Sequence, residues 1–258
     1  MFQILAYIKF IFIAKSKLRT KSLFINEVLN ESLLNKELFP LYTTLKKYRH
    51  KLYQNHQTIQ VTDFGSGSRV FKSNTRKISA IARNAGLAPK RAVLLSKLAN
   101  YFKPKHSLEI GTSLGLGTAA LHLGYPKGKI TTLEGCPETG NIAQQQFTNF
   151  NFKNIDLVIG EFNKYLNDID SSSIYDLVYF DGNHQKEATL NYFNKLIKHS
   201  NSNSVFIFDD IHWSKEMEEA WDVIKKDTRV KTTIDTFFWG LVFFNSEDTH
   251  QKHFKIRL

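Results

Sequence analysis

The fold is decided by the stretch LEIGTSLGLGT at residues 108–118. It begins as an apolar run that contains Glu109, continues as a turn with three glycines, and leads into a helix-forming segment that extends to residue 123. A strand, a glycine turn and a helix in this order bring the backbone of an open α/β sheet close to a nucleotide-like ligand. Glu134 ends the next apolar run, at 130–133, and a carboxylate at that place can bind ribose hydroxyls.

The spacing of the glycines argues against a dinucleotide site. The dinucleotide fingerprint is Gly-x-Gly-x-x-Gly, whereas Gly111, Gly115 and Gly117 give Gly-x-x-x-Gly-x-Gly. Glu109 would also repel a pyrophosphate, but it suits a cationic ligand. A tight turn that binds nothing is the alternative, and the acids further along the chain argue against it.

From about residue 89 to the C-terminus, these features resemble the class I S-adenosylmethionine (SAM) methyltransferases. Residues 108–118 resemble their motif I, in the form found in small-molecule O-methyltransferases. The resemblance implies a Rossmann-like α/β sheet that is mostly parallel with its last strand antiparallel, and it implies SAM as the cofactor. We expect a SAM-binding domain at 89–258 and a basic, helical N-terminal extension at 1–88.

The resemblance also implies which residues bind SAM. Glu109 would face its ammonium or sulfonium side, and Glu134 would accept hydrogen bonds from the ribose. Glu161 would lie near the adenine, with a solvated loop acid as the alternative. The residues expected against the methionine part are those of the turn: Gly111, Thr112, Ser113, Gly115 and Gly117.

Acids also end the predicted strands at 176–181 and 204–209, namely Asp181 and the pair Asp209-Asp210. These strands are close together in the class I sheet, so the three carboxylates should converge, and they are hard oxygen ligands suited to Mg²⁺, Mn²⁺ or Ca²⁺. The layout resembles the metal-dependent O-methyltransferases of the catechol and caffeoyl type. It implies a divalent-cation site at these three residues. The alternative is that Asp181 serves cofactor or substrate without metal, while the pair caps the next helix or holds the loop.

A histidine stands where the catechol type has its lysine base, three residues after the first Asp. This residue is His184, and an imidazole with a pKa near 6.5 can act as a general base at neutral pH. We therefore predict Asp181 and His184 as catalytic residues, with Asp181 also among the cofactor-binding residues. His212 is the rival base, although a surface or supporting role is favoured for it. No Asp/Asn-Pro-Pro-Tyr follows 176–181; that motif is typical of many amino-methylating enzymes, so oxygen chemistry on a small molecule is favoured.

The charge of the chain is unevenly distributed. Residues 1–106 hold 20 Lys/Arg and 4 Asp/Glu, a balance of +16, while residues 107–258 hold a balance of −5. Such asymmetry can indicate nucleic acid, an anionic membrane or an anionic substrate as a partner. The basic residues form no long block and no nucleic-acid module is recognised, so we favour a solvated face and predict no nucleic-acid partner.

The first 14 residues are almost wholly apolar. They are too few for a transmembrane helix, which needs roughly 20 residues, and they lack the features of a signal peptide. Peripheral membrane contact stays open, but a helix packed on the domain or on a second subunit of a homodimer is favoured. The single cysteine, Cys136, excludes an internal disulfide and predicts a reducing compartment, hence a cytoplasmic protein.

Elsewhere, strands and helices alternate after residue 105, as in a parallel sheet covered by helices. A second glycine-rich stretch at 63–68 has no acid between Asp63 and Glu109, so we predict a loop at 61–69 that is a lid, part of the substrate pocket or an ordinary connection. Near the N-terminus, relatives carry a His-Gly-x-His-Ser-Pro-Phe-like segment, where this chain has KLRTKSLF at 17–24.

The remaining predicted elements are strands at 106–110, 129–134, 156–159, two in 230–244 and one at 253–258, and helices in 1–60 and at 74–85, 89–102, 117–124, 138–150, 162–167, 186–199 and 215–227.

The sequence thus predicts a SAM-dependent methyltransferase that acts on a hydroxyl of a small molecule, with Mg²⁺ or another divalent cation as a further cofactor. Two alternatives stay open. One is a metal-independent methyltransferase with another acceptor. The other is a catalytically silent SAM-fold domain whose basic extension binds an anionic partner, such as nucleic acid or membrane.

Overall fold

The computed structural model of the chain describes residues 2–15, 22–35, 42–62, 64, 65, 67, 71–245 and 251–258. Several predictions fall partly outside these residues, among them the helices in 1–60. Of the segment at 17–24, only 22–24 is described, and of the loop at 63–68 only 64, 65 and 67.

The described strands agree with the predicted alternation after residue 105. In chain order they are β1 Thr58–Gln60, β2 Thr75–Lys77, β3 His106–Ile110, β4 Lys129–Glu134, β5 Ile155–Ile159, β6 Leu177–Phe180, β7 Val205–Asp209, β8 Thr232–Asp235, β9 Trp239–Phe243 and β10 Lys252–Lys255. β6 and β7 are buried along their whole length. Strands covered on both faces need uninterrupted apolar runs, and these two sequences supply them.

Within the described residues, eight strands form one sheet in the order β10-β8-β9-β7-β6-β3-β4-β5. β9 lies between β7 and β8 and is antiparallel to both, and the other pairings are parallel. This confirms the mostly parallel Rossmann-like sheet. β10, the predicted last edge strand, is parallel to β8, so the antiparallel strand is β9 and not the final strand of the chain.

Three of the described helices precede β1, and the others lie between later strands. The helices are α1 Phe2–Ile13, α2 Leu23–Val28, α3 Tyr42–Gln54, α4 Ile78–Asn84, α5 Pro89–Phe102, α6 Leu116–Gly124, α7 Pro137–Asn149, α8 Phe162–Asn167, α9 Lys186–Leu196 and α10 Lys215–Lys226. α10 begins as predicted, because the Ser214 side chain accepts a hydrogen bond from the Met217 amide at 3.2 Å. α2 continues into a π-helical turn, Leu29–Leu33, and α9 into a 3₁₀ turn, Ile197–His199.

The extension differs from the prediction at two places. Residues 75–77, predicted as the start of a helix, form β2, and α4 begins only at Ile78. β2 pairs antiparallel with β1, which lies in a region predicted to be helical. Both strands are three residues long and form a small separate sheet. Since each depends on its partner about 15 residues away, local periodicity does not reveal them.

The extension and the sheet share one hydrophobic core. Buried side chains of α2 and α3, such as Val28 and Leu52, belong to the same cluster as Leu95 of α5 and Ala119 of α6. The proposed boundary at residue 88 therefore does not separate two cores, and as a domain boundary it stays a prediction.

Helix α1 packs against the far end of the sheet. Its Phe10 is buried and lies 5.5 Å from the Phe237 ring, between centroids. Much of the rest of the helix is apolar and exposed, including Ile4, Leu5 and Phe12. In the part of the chain that the structure describes, α1 included, we find no helix that is long and apolar enough to cross a membrane.

Candidate active site

The glycine turn after β3 joins three strands at the carboxyl edge of the sheet. The amides of Gly111 and Thr112 both donate to the Leu133 carbonyl of β4 at 3.0 Å. Gly111 has φ +101°, and a Cβ there would lie 2.5 Å from the backbone oxygen of Asp181, which follows β6. Only glycine fits this close approach, so the turn holds the ends of β3, β4 and β6 together.

Glu134, the acid that ends β4, is fixed by donors on both oxygens. Its Oε2 accepts from the Ser113 amide at 2.6 Å. Its Oε1 accepts from the Cys136 amide at 2.9 Å and from the Thr139 hydroxyl at 3.1 Å. The predicted pair of glycine turn and acid is therefore in direct contact. Burial raises the pKa of Glu134, although these hydrogen bonds act in the opposite direction.

Glu109 lies beneath the turn and is fully buried. Its Oε2 accepts hydrogen bonds from the Thr118 hydroxyl and, at 2.6 Å, from the Thr132 hydroxyl, whereas its Oε1 has no partner among the described residues. Burial raises the pKa of Glu109 to about 7, against the effect of the two hydroxyls. A Cβ on Gly117 would collide with Oε1, so glycine is required there for space.

The N-terminal extension supports the same turn. The Tyr48 hydroxyl of α3 donates to the Leu114 carbonyl at 2.9 Å, and a Cβ on Gly115 would lie 2.5 Å from that hydroxyl. Tyr48 is fully buried. It was not among the predicted site residues, because it precedes the turn by more than 60 residues and has no local signature.

The described part of the predicted 61–69 loop crosses the carboxyl edge of the sheet. The Phe64 ring packs on Gly135, where a Cβ would lie 2.7 Å from its Cδ2 atom, and Gly65 lies against the backbone of Asn183. The loop thus reaches from the end of β4 to the segment after β6. Cys136 is part of its anchor, since its thiol donates to the Gln60 carbonyl at 3.6 Å. The thiol of Cys136 thus has a structural contact.

The acids after β6 and β7 converge as predicted. The Tyr179 hydroxyl donates to Asp181 Oδ2 at 3.1 Å and lies 3.4 Å from Asp209 Oδ2. Burial and then the neighbouring Asp209 raise the pKa of Asp181 well above its ordinary value. Asp210 follows Asp209 with φ +53°, a conformation that costs about 1 kcal/mol for a residue with a side chain.

An arginine that was not predicted for the site lies among these acids. Arg91 Nη1, from the first turn of α5, lies 2.6 Å from Asp209 Oδ1 and 3.6 Å from Asp210 Oδ1. Although burial alone would lower it, the two carboxylates raise the pKa of Arg91 above its usual range. The guanidinium also lies over the Phe238 ring, 5.3 Å from its centroid. One signal could have found it: a cation in the first turn of a helix opposes the helix dipole and needs a reason.

His184 lies beside Asp181, with Nε2 3.7 Å from Oδ1. Its side chain is 23% exposed, so it is held by the protein yet open on one side. Burial lowers the pKa of His184, which keeps the imidazole neutral and able to accept a proton. Asn183 and His184 both have positive φ, and such strain is typical of functional sites.

His212, the rival base, is committed elsewhere. Its Nδ1 lies 2.6 Å from Glu218 and its Nε2 lies 3.0 Å from Asp235. Both ring nitrogens are therefore occupied, as a supporting role requires, and the residue is buried rather than at the surface. Burial alone would lower the pKa of His212, but the two carboxylates raise it.

Two further predicted site residues are Thr112, which is buried, and Glu161, which is exposed. The Thr112 hydroxyl lies 2.6 Å from the Thr132 hydroxyl and is buried. Glu161 is exposed just before α8 and makes no side-chain capping bond, so the structure leaves both the adenine contact and the solvated acid open.

The sheet order and the glycine turn define the class of this part of the chain. An antiparallel strand between two strands of an otherwise parallel sheet, with a glycine turn after the first central strand, is the class I methyltransferase arrangement. Residues 108–211, which run from the glycine turn to just past Asp209 and Asp210, match the family described as "Methyltransferase domain". This segment therefore matches a methyltransferase domain, in agreement with the predicted class. The chain matches no curated protein significantly.

Solved structures with the same fold include three methyltransferases. One from Podospora anserina, bound to S-adenosylhomocysteine (SAH), has a TM-score of 0.62 at 14% identity, over 90% of this chain and 100% of its own. An O-methyltransferase from Bacillus cereus in complex with SAH has a TM-score of 0.55 at 17% identity, over 85% of this chain and 97% of its own. The O-methyltransferase TomG from Streptomyces achromogenes is involved in tomaymycin synthesis and was solved with SAM. It has a TM-score of 0.55 at 18% identity, over 63% of this chain and 83% of its own. At these identities the likeness concerns the fold.

Proposed function

We propose that this protein is a SAM-dependent methyltransferase that methylates a hydroxyl oxygen of a small molecule. The observation that carries the proposal is the juxtaposition of two sites at one sheet edge. The glycine turn contacts Glu134 directly, through the 2.6 Å bond from Ser113, and the neutral, only partly exposed His184 lies across from them, after β6. Structures of the same fold have been solved with SAM or SAH, which supports the assignment of the ligand.

The chain offers polar groups of the right sign for SAM. Glu134 would hold the ribose hydroxyls, and the turn from Gly111 to Gly117 would pack on the methionine part. Glu109 has a buried oxygen without a partner among the described residues, and Asp181 stands across the turn. Both would favour the cationic end of the ligand, because an opposite charge stabilises a buried carboxylate. When bound, SAM supplies an electrophilic methyl group.

His184 is the proposed base. Its imidazole would take the proton of the acceptor hydroxyl, whose oxygen then bonds to the methyl carbon as the bond to sulfur breaks. Positioning by Asp181 keeps the ring near the end of β6, 3.7 Å away. Holding base and acceptor together removes the entropy cost of their encounter.

The predicted divalent-cation site does not fit the residues present. The three carboxylates come together, but the Arg91 guanidinium is already bound to two of them. A divalent ion about 4 Å from a guanidinium is repelled by about 8 kcal/mol at an effective dielectric constant of about 20. In the described part of the chain, moreover, no group of three or more His, Cys, Asp or Glu side chains is arranged to hold a metal ion. We therefore assign no step to a metal.

The loop at Phe64 and Gly65 favours a small acceptor. It reaches from Gly135 to Asn183, the neighbour of His184, and so restricts the space in front of the proposed base. The silent-domain alternative has less support, because the turn, Glu134 and the histidine are all in place. Membrane contact or dimerisation through α1 stays a prediction.

The proposal is tested by calorimetric titration of the purified protein with SAM, once with Mg²⁺ and once with EDTA. We expect micromolar binding in both. Glu134→Gln should weaken binding about 100-fold, because it removes a charged acceptor. Glu138→Gln, an exposed acid four residues further on, is the matched control and should bind like the wild type. No binding by the folded wild-type protein would refute the proposal.

A further inference from the structure

The acidic cluster after β6 and β7 contains its own cation. Arg91 belongs to α5, whose Leu95 and Leu98 are fully buried in the core, so the helix is fixed relative to the sheet. Its guanidinium lies between the carboxylates of Asp209 and Asp210 on one side and the Phe238 ring on the other.

Both carboxylate oxygens of Asp209 already face hydrogen-bond donors of the protein. Oδ1 accepts from Arg91 Nη1 at 2.6 Å and from the Asp210 amide at 2.9 Å, which occupies both of its lone pairs. Oδ2 faces the Tyr179 hydroxyl at 3.4 Å. The side chain of Asp209 is only 5% exposed. To ligate a metal ion, this carboxylate would have to give up bonds that the fold already provides.

We propose that the Arg91 guanidinium takes the place of a divalent cation in this cluster, so that the site excludes metal ions and works without them. The inference rests on the proposed methyl transfer for its role in the reaction, but its structural content is independent of it. Unlike a metal ion, a guanidinium is covalently part of the chain, is charged at every physiological pH and presents planar donors. It therefore supplies a fixed positive charge beside His184 and Asp181 whatever the metal supply.

Manganese binding tests this inference directly. Mn²⁺ is titrated into the full-length protein, with and without saturating SAH, and the free ion is followed by electron paramagnetic resonance. The wild-type protein should bind Mn²⁺ no more tightly than about 1 mM. Arg91→Met, which keeps the length of the side chain and removes the charge, should bind it about 100-fold more tightly because three carboxylates lose their cation. Adding Asp209→Asn to this variant should abolish the gain.

The matched control is Lys90→Met, an exposed neighbour in the same helical turn, which should behave like the wild type. Micromolar Mn²⁺ binding by the wild type that is lost in Asp209→Asn would overturn the inference. A folded Arg91→Met protein that binds no better than the wild type would do the same. If Arg91→Met does not fold, the wild-type titration with Asp209→Asn decides alone. Since SAM binding is measured separately through Glu134, a protein that binds both SAM and Mn²⁺ would refute only this inference.

Discussion

The two halves of the site each contain a buried carboxylate, but they surround it with different partners. On the β3–β4 side, Glu109 is enclosed with two threonine hydroxyls, and burial raises its pKa to about 7. On the β6–β7 side, Asp209 is enclosed with the Arg91 guanidinium at 2.6 Å. A cationic ligand would match the first charge, whereas the chain matches the second one itself. In the proposed function, the β3–β4 side is the cofactor half, where the buried acid is free to receive a ligand's charge, and the β6–β7 side is the acceptor half, where Asp209 already has a counter-charge from the chain.

The largest expected effect concerns the acceptor half. His184→Asn should lower the rate of SAH formation from a panel of hydroxylated acceptors by about 100-fold to about 10,000-fold, the usual contribution of a general base. Asparagine is chosen because it tolerates the positive φ at this position. SAM affinity should not change. His199→Asn, at the opposite end of the sheet, is the control, and a His184→Asn enzyme with wild-type turnover would exclude His184 as the base.

Removal of the internal cation should be the next largest effect. Arg91→Met should lower the free energy of unfolding by about 3–5 kcal/mol, because it leaves Asp209 buried without a counter-charge. Urea denaturation measures the change. Asp209→Asn in the same protein should recover part of the loss, and Lys90→Met should stay within about 0.5 kcal/mol of the wild type. If Arg91→Met and Lys90→Met are equally stable, the charge of Asp209 does not need its arginine.

On the cofactor half, substitution of the buried acid Glu109 should become more favourable for stability, relative to the wild type, as the pH rises. The pKa of Glu109 is raised from its unfolded value of 4.5 to about 7, so its stabilising contribution is complete below 4.5 and lost as the pH rises through 7. Glu109→Gln does not titrate, and its stability relative to the wild type should therefore increase by up to about 3 kcal/mol between pH 4.5 and pH 8.

The measurement is urea denaturation of both proteins across that pH range. SAM should reduce the pH dependence of the wild type if Glu109 faces the ammonium. A stability difference that does not change with pH would show that Glu109 ionises as freely in the fold as in the unfolded chain.

The smallest effect tests the support of the glycine turn. Tyr48→Phe should lower the free energy of unfolding by about 1 kcal/mol, since the Leu114 carbonyl loses its hydroxyl donor. Tyr7→Phe, on the partly exposed α1, is the control. A modest loss of SAM affinity should accompany Tyr48→Phe, and its absence would separate the extension from the function of the turn.

Features set by neighbouring residues could be predicted from the sequence, whereas contacts between residues far apart in the chain could not. The glycine turn, the strand-ending acids and His184 are each recognised within a few residues, and the structure brings them to one edge. Arg91 and Tyr48 could not be found in this way. Their partners lie 118 and 66 residues away along the chain, so only the packing of α5 and α3 on the sheet creates these contacts. The predicted carboxylates lie together at this edge, but the arginine that contacts two of them comes from a distant helix.

The short bridge between the two chain ends has a consequence for self-association. The amide of Lys15 donates to the Lys255 carbonyl at 3.1 Å, and the Arg257 amide donates to the Lys15 carbonyl at 3.0 Å. An uncovered outer strand offers a row of unpaired backbone groups to which strands of other molecules can add. Lys15 covers part of β10, and the lysines of that strand bring charge to the same border. Lys15 thus covers part of the outer edge of the sheet, and a chain that lacks residues 2–15 would leave this edge open to strand addition and aggregation.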